Sequence, residues 1–219
     1  HEPASSGKVL CDKRGMKYPE SRLLLFTKAP EPGKVKTRLA DFLGAAAAAE
    51  LYEQLVFNCL ETSISADLCP VDICCSPSTE HPFFQHCHNH YHVVLQQQCR
   101  GDIGQRMSSA IKSALQYAEH TVLIGADCPE LTANDLETAF EFLQQGTDVV
   151  LGPAADGGYY LIGMSNHHAC LFEGIPWSTH RVLAATERHL RKQGLGWHSL
   201  PVRRDVDTAA DYAVYMAMK

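Results

Sequence analysis

Several common classes of protein are excluded by what this sequence lacks. No apolar run approaches the roughly 20 residues of a membrane-spanning helix. Basic residues are outnumbered, 19 against 25 acidic, and the net charge of -6 leaves no basic footprint for nucleic acid. The opening residues, HEPASSGKVLCDKRG, are polar and carry no apolar core of a secretory signal. Nine cysteines, an odd number, are scattered without a CxxC pair, and they read as reduced, mostly buried thiols of a cytoplasmic protein. There is no internal repeat, no interdomain linker, no Walker loop and no GxGxxG turn. No Ser-His-Asp or catalytic Cys arrangement is visible either.

What is present suits one domain. A chain of 219 residues with 45% apolar and 20% charged side chains can bury a core without staples. Residues 1–21 read as an N-terminal arm and residues 22–219 as a single domain. Strands are expected at Leu23–Thr27, Val71–Cys75, Val93–Leu95, Val122–Ile124, Asp148–Gly152 and Trp197–Val202. Helices are expected over Ala45–Ser65, about 103–119, 133–145 and 180–193, and from Asp207, read as an N-cap, to Met218. The alternation predicts an α/β fold, a three-layer αβα sandwich around a mainly parallel sheet. The stripe Leu51, Leu55, Val56, Cys59 and Leu60 of the helix over Ala45–Ser65 reads as core alone.

Chemistry-bearing residues gather at strand ends. After the first strand, Lys28, Gly33, Lys34, Lys36 and Arg38 form a stiff cationic loop leading into a helix. Cations oppose a helix N-terminus unless an anion is bound, so this conflict predicts a phosphate site. TVLIGADCPEL presents Asp127 after a buried strand, where it either caps the next helix or holds a divalent cation. Thr132 and Asp135 form a capping-box pair there. Asp156 precedes Gly157, Gly158 and Tyr159 on a tight loop, with the Asp-Gly signature of a type I′ hairpin. Arg106, one turn into a helix, is within reach of a nucleobase or phosphate, or of a surface partner. Trp177 and Ser178 flank a late helix, and Asp205 stands at a strand end. Histidines alternate from His86 to His92 and would share one face of an extended chain, but the spacing is not that of a closed zinc site. That piece reads as an exposed loop.

The motifs TKAPEPGKVKTRL, GDIGQRM, GADCPEL, ADGGYYLIG, IPWST and DVDT, in that order from about residue 22 onward, resemble the bacterial GT-A-type glycosyltransferase-like family of the nucleotide-diphospho-sugar transferase superfamily. The resemblance implies a GT-A-like fold and a nucleotide or nucleotide sugar held by Lys28, Gly33, Lys34, Lys36, Arg38 and Arg106. It implies Mg2+ or Mn2+ at Asp127, with Asp205 as a second ligand, and Asp156 as a candidate base. Gly157, Gly158, Tyr159, Trp177, Ser178, Asp205 and Asp207 would face a small-molecule or glycan acceptor. Asp127 lies in a GxDxP form, with one carboxylate where a DxD motif offers two. The first loop is also similar to that of 2-phospholactate guanylyltransferase, through Lys28 and Lys36-Thr37-Arg38-Leu39. The resemblance thus implies glycosyl transfer, with nucleotidyl transfer as a rival and a nucleotide-binding module without turnover as a third reading.

Overall fold

The structure is a computed structural model that describes residues 15–218. The first fourteen residues of the expected arm therefore lie outside the described residues. Among the described residues, seven strands form one sheet: β1 (Arg22–Lys28), β2 (Val71–Ser76), β3 (Val94–Gln97), β4 (Thr121–Gly125), β5 (Val149–Pro153), β6 (Tyr159–Met164) and β7 (Trp197–Ser199). Their order is β3-β2-β1-β4-β6-β5-β7, parallel except for β6, which runs against both β4 and β5. The helices are α1 (Thr37–Leu43), α2 (Ala45–Ser65), α3 (Pro82–Tyr91), α4 (Ile103–Ala114), α5 (Ala133–Gln144), α6 (Val182–Gln193) and α7 (Ala209–Ala217).

The unbroken apolar run of β1 follows from burial on both faces. Leu23 and Leu25 pack with Tyr52 and Val56 of α2, Phe84 of α3 and Phe140 of α5. Leu24 points the other way, to Met107 and Ile111 of α4 and Leu190 of α6. Helices thus cover both faces, and the expected three-layer α/β sandwich is the fold. Phe84 and Phe140 are fully buried, and each such side chain contributes about 1.5–3 kcal/mol relative to exposure. Residues just ahead of β1 are docked: the Tyr18 N–H donates to Leu68 O at 2.6 Å and its ring lies 5.5 Å from that of Phe140. No helix among the described residues is long and apolar enough to cross a membrane.

Four local expectations are corrected. The histidine run is not an extended loop but helix α3. Pro82 sits at its first turn, the Phe83 N–H donates to His81 Nδ1 at 3.2 Å, and Phe83, Phe84 and Cys87 are buried at helical spacing. That apolar period outweighs the alternation of histidines. Thr208, not Asp207, caps α7, in a capping box with Asp211. The β5–β6 turn is not type I′, because Gly157, at φ 91°, is its only residue with positive φ. The Gly157 N–H donates to Ala154 O at 3.1 Å, so Ala155 and Asp156 form an ordinary turn that Gly157 closes. The strand expected over 197–202 ends at Ser199, and Arg203 makes a separate bridge to Ala154. The capping box of Thr132 and Asp135 is present as read.

Candidate active site

The chain builds outward from β1 to β2 and β3, then returns to place β4 on the other side of β1. Ligands of open α/β sheets sit at such a switch point, beyond the carboxyl ends of the strands. A cavity of about 280 Å³ lies there. Its polar lining is Thr27, Lys28, Lys34, Lys36, Gln98 and Arg106 with Asp127 and Asp207.

One wall is acidic. After β4 breaks at Gly125, the Asp127 carbonyl accepts from the Val206 N–H at 3.0 Å. Upstream, the Arg203 N–H donates to Pro153 O at 3.0 Å and its carbonyl accepts from the Ala155 N–H at 2.9 Å. Residues 203–207 therefore run between the end of β4 and the tip of the β5–β6 hairpin. Val206 is buried against Leu39, Leu51 and Tyr215, which leaves Asp205 and Asp207 flanking it. Beneath them, Arg203 makes a two-pronged contact with buried Asp135, at 2.9 and 3.2 Å.

Burial pushes the Asp205 carboxyl up to about 7, reinforced by the neighbouring charges of Asp127, Asp156 and Asp207 and opposed by Lys36. Its Oδ1 is buried without a hydrogen-bond partner. Four acids thus act on one another around this point.

Lys36 answers part of that charge. Its ammonium lies 2.6 Å from Asp127 Oδ1 and 2.7 Å from Asp207 Oδ1, and its side chain is only 3% exposed. The contact with Asp207 is an aligned hydrogen bond. The contact with Asp127 is a close ion pair that buries the Asp127 Oδ1 oxygen. Burial alone would lower the Lys36 pKa, and the two carboxylates outweigh it and raise it. The residue sits at the N-cap of α1 with φ 47°, a left-handed conformation that costs a non-glycine residue energy.

Another part of the lining is set by a residue that sequence reasoning passed over. Gln98 is buried, and its Nε2 donates to Thr27 O at 3.0 Å and Cys74 O at 2.8 Å, tying the ends of β1 and β2. Its Oε1 is thereby turned outward and accepts from Arg106 Nη1 at 2.9 Å. Tyr52 was also missed, because α2 read as core alone. Its hydroxyl lies 2.8 Å from Thr27 Oγ1 and accepts from the Lys28 N–H at 3.1 Å. A tyrosine inside an apolar helical stripe was the available signal for it, and a glutamine just ahead of the GDIG turn was the signal for Gln98.

The remaining expected residues divide. Lys28 and Lys34 line the cavity, with Lys34 paired to Glu31 at 2.5 Å. Gly33 and Arg38 are exposed and outside its lining. Asp156 is exposed and its Oδ1 accepts from the Gly158 N–H at 2.8 Å. Gly157 presses against the loop before α6: an added Cβ would lie 2.1 Å from His180 O, and the Leu183 N–H donates to Gly157 O at 2.9 Å. In the same loop the Trp177 ring covers Gly104, where an added Cβ would meet it at 2.5 Å. Trp177 packs edge-on to Tyr159 with ring centroids 6.5 Å apart. Ser178 is exposed with φ 62°. Trp177 and Tyr159 share an apolar cluster with Phe26 and Ile103, which reach the cavity.

Among the described residues no group of three or more His, Cys, Asp and Glu side chains is arranged to hold a metal. The histidines of α3 contribute none: His86 and His90 stack 5.8 Å apart, and His88 Nδ1 contacts Val93 O at 2.7 Å. What the site offers is carboxylate oxygens: Asp205 Oδ1, which has no hydrogen-bond partner, and those of Asp127, one of which is ion-paired with Lys36. That donor set fits a hard divalent ion that completes its shell with water and phosphate oxygens.

A sheet of this order, with an acid after its central strand and a cationic loop facing it, defines a protein of the nucleotide-diphospho-sugar transferase fold. A structure from Desulfovibrio desulfuricans G20, provisionally described as a nucleotide-diphospho-sugar transferase, matches with a TM-score of 0.82 and 34% identity over 90% of this chain and 86% of that one. More distant matches share the fold alone. CMP:2-keto-3-deoxy-manno-octonic acid synthetase complexed with CTP has a TM-score of 0.58 and 12% identity, over 91% of this chain and 98% of that one. Glucosyl-3-phosphoglycerate synthase from Mycobacterium tuberculosis, in complex with Mn2+, UDP and glucosyl-3-phosphoglycerate, has 0.55 and 13%, over 100% and 82%. Residues 59–179 match DUF2064, described as an uncharacterized protein conserved in bacteria, and the chain belongs to that family. No curated protein matches it.

Proposed function

We propose that this protein is a glycosyltransferase that uses a nucleotide-diphospho-sugar donor together with Mg2+ or Mn2+ and passes the sugar to a small-molecule or glycan acceptor. The observation that carries this reading is one cavity in which both signs of charge meet. Lys28, Lys34 and Arg106 line it together with Asp127 and Asp207, beside Asp205. A nucleoside diphosphate is the ligand class that needs both.

Arg106, held by Gln98, and Lys28 bind the nucleotide and its phosphates. Asp127 and Asp205 hold the divalent ion, which when bound supplies charge stabilisation to the departing diphosphate. Asp156, on the hairpin tip, takes the proton of the acceptor hydroxyl. Tyr159 and Trp177 give the acceptor side an apolar wall.

Nucleotidyl transfer is the second reading, favoured by the single carboxylate at the end of β4. There the same cations neutralise an attacked α-phosphate. Product analysis separates the two. Release of a nucleoside diphosphate supports glycosyl transfer, pyrophosphate supports nucleotidyl transfer, and neither product with any acceptor supports a binding module. Asp127→Asn abolishes turnover in both enzyme readings and leaves the fold intact. Full activity in that variant would overturn the metal assignment.

A further inference from the structure

Lys36 has the position of a phosphate ligand and the partners of a counter-ion. Its side chain lines the cavity beside Lys28 and Lys34, yet the ammonium lies 2.6 Å from Asp127 and 2.7 Å from Asp207. We propose that Lys36, held by Asp127 and Asp207, is the resident counter-cation of the acidic segment and competes with the divalent ion for Asp127, so that the protein takes up Mg2+ or Mn2+ only together with a nucleotide. The inference rests on the cation-and-nucleotide reading of the site.

The reasoning is electrostatic and geometric. A dication at Asp127 meets an ammonium already bound to that carboxylate. Like charges at such range in a partly desolvated site repel far more than in water. The Asp127 side chain is 42% exposed although its Oδ1 is buried against Lys36, so the rest of the carboxylate stays open to the cavity. The ion's approach is therefore opposed by charge and not blocked by packing.

A bound diphosphate changes the balance, because it gives the ammonium a further anionic partner within the same cavity. The backbone need not move for this exchange. The Lys36 carbonyl stays tied to the Leu39 and Ala40 N–H groups at 2.9 Å each, and rotation of the four-carbon stem suffices. Asp205, whose Oδ1 has no hydrogen-bond partner, supplies a further oxygen donor for an arriving ion.

Mn2+ binding, followed by the loss of the free-ion electron paramagnetic resonance signal, tests this without reference to turnover. The wild-type protein is titrated with Mn2+ alone and with UDP, GDP or CDP present, and Lys36→Met is titrated with Mn2+ alone. Wild type is expected to hold Mn2+ roughly tenfold or more tightly once a nucleotide is added, and the variant to reach a similar gain without any nucleotide. Lys36→Gln, which keeps the stem and a neutral donor, serves if the methionine variant does not fold. Equal Mn2+ affinity of folded variant and wild type overturns the proposal, as does wild-type affinity indifferent to every nucleotide. If wild type retains no Mn2+ under any condition, the metal reading of the site fails first, and this inference falls with it.

Discussion

Replacing Arg203 by alanine tests whether the acidic segment of the site is held from beneath by one buried ion pair. Asp135 is 1% exposed, and its Oδ1 accepts from Arg203 Nη2 at 2.9 Å. Its Oδ2 accepts from Arg203 Nε at 3.2 Å and from the Thr132 N–H and hydroxyl at 2.9 Å each. Without the guanidinium, Oδ2 keeps the capping-box donors while Oδ1 loses its arginine. Breaking a buried pair from one side costs about 3–5 kcal/mol, and the low end applies here because the Arg203 side chain is 25% exposed. For a chain of this length each kcal/mol moves Tm by about 2–4 °C, so a cost of ~3 kcal/mol lowers it by ~6–12 °C. Differential scanning calorimetry reads this directly. Arg203→Lys recovers part of the loss, since an ammonium restores charge without the two-pronged geometry. Transfer activity is expected to fall further than stability, because Asp205 and Asp207 lie two and four residues along the same segment. A Tm drop below about 2 °C would refute the argument and show that the capping box alone satisfies Asp135.

Three further outcomes are expected. Asp205, raised to about 7, binds its proton more tightly folded than unfolded. Its contribution is fully present below the unfolded value of about 4 and is lost as pH rises through about 7. Urea denaturation in chelator should therefore show a component that weakens from about pH 4 to about pH 7 and is missing in Asp205→Asn, and parallel curves would contradict this. Burial lowers His120, His167 and His198, which gives the opposite slope in both proteins and so cancels in the comparison. Gly157→Ala, at φ 91° and with its Cβ 2.1 Å from a backbone oxygen, is expected to cost about 1–3 kcal/mol and to speed hydrogen exchange in the loop before α6. Unchanged exchange there would count against the clamp. Gln98→Ala leaves the Thr27 and Cys74 carbonyls without their side-chain donors and Arg106 without its guide. It should lose about 1–3 kcal/mol of stability and weaken nucleotide binding, both measurable by titration. Wild-type affinity would remove Arg106 from the nucleotide wall.

Much of the fold was legible locally. The apolar run Leu23–Leu25, the long stripe of α2 and the capping box at Thr132 are patterns a few residues wide, and each element stands where the pattern put it. The misreadings were local conflicts. In α3 the alternation of histidines competed with the helical spacing of Phe83, Phe84 and Cys87, and burial of the apolar set decided the matter. At the end of the sheet, Asp207 and Thr208 are both good caps, and Asp207 was drawn away by Lys36.

Local patterns in the chain carried the α/β class, most strands and helices though not α3, and the acids and cations at strand ends. Periodicity and capping act between neighbours, so a single chain displays them. Only the tertiary structure decided which charges meet. Lys36 finds Asp207 across 171 residues of sequence, Gln98 finds the Thr27 carbonyl across 71, and Arg203 finds Asp135 across 68. Such pairings depend on which strands lie side by side and on how deeply a charge is buried. Nothing in the local run of residues distinguishes a lysine that will face a phosphate from one already bound to two carboxylates.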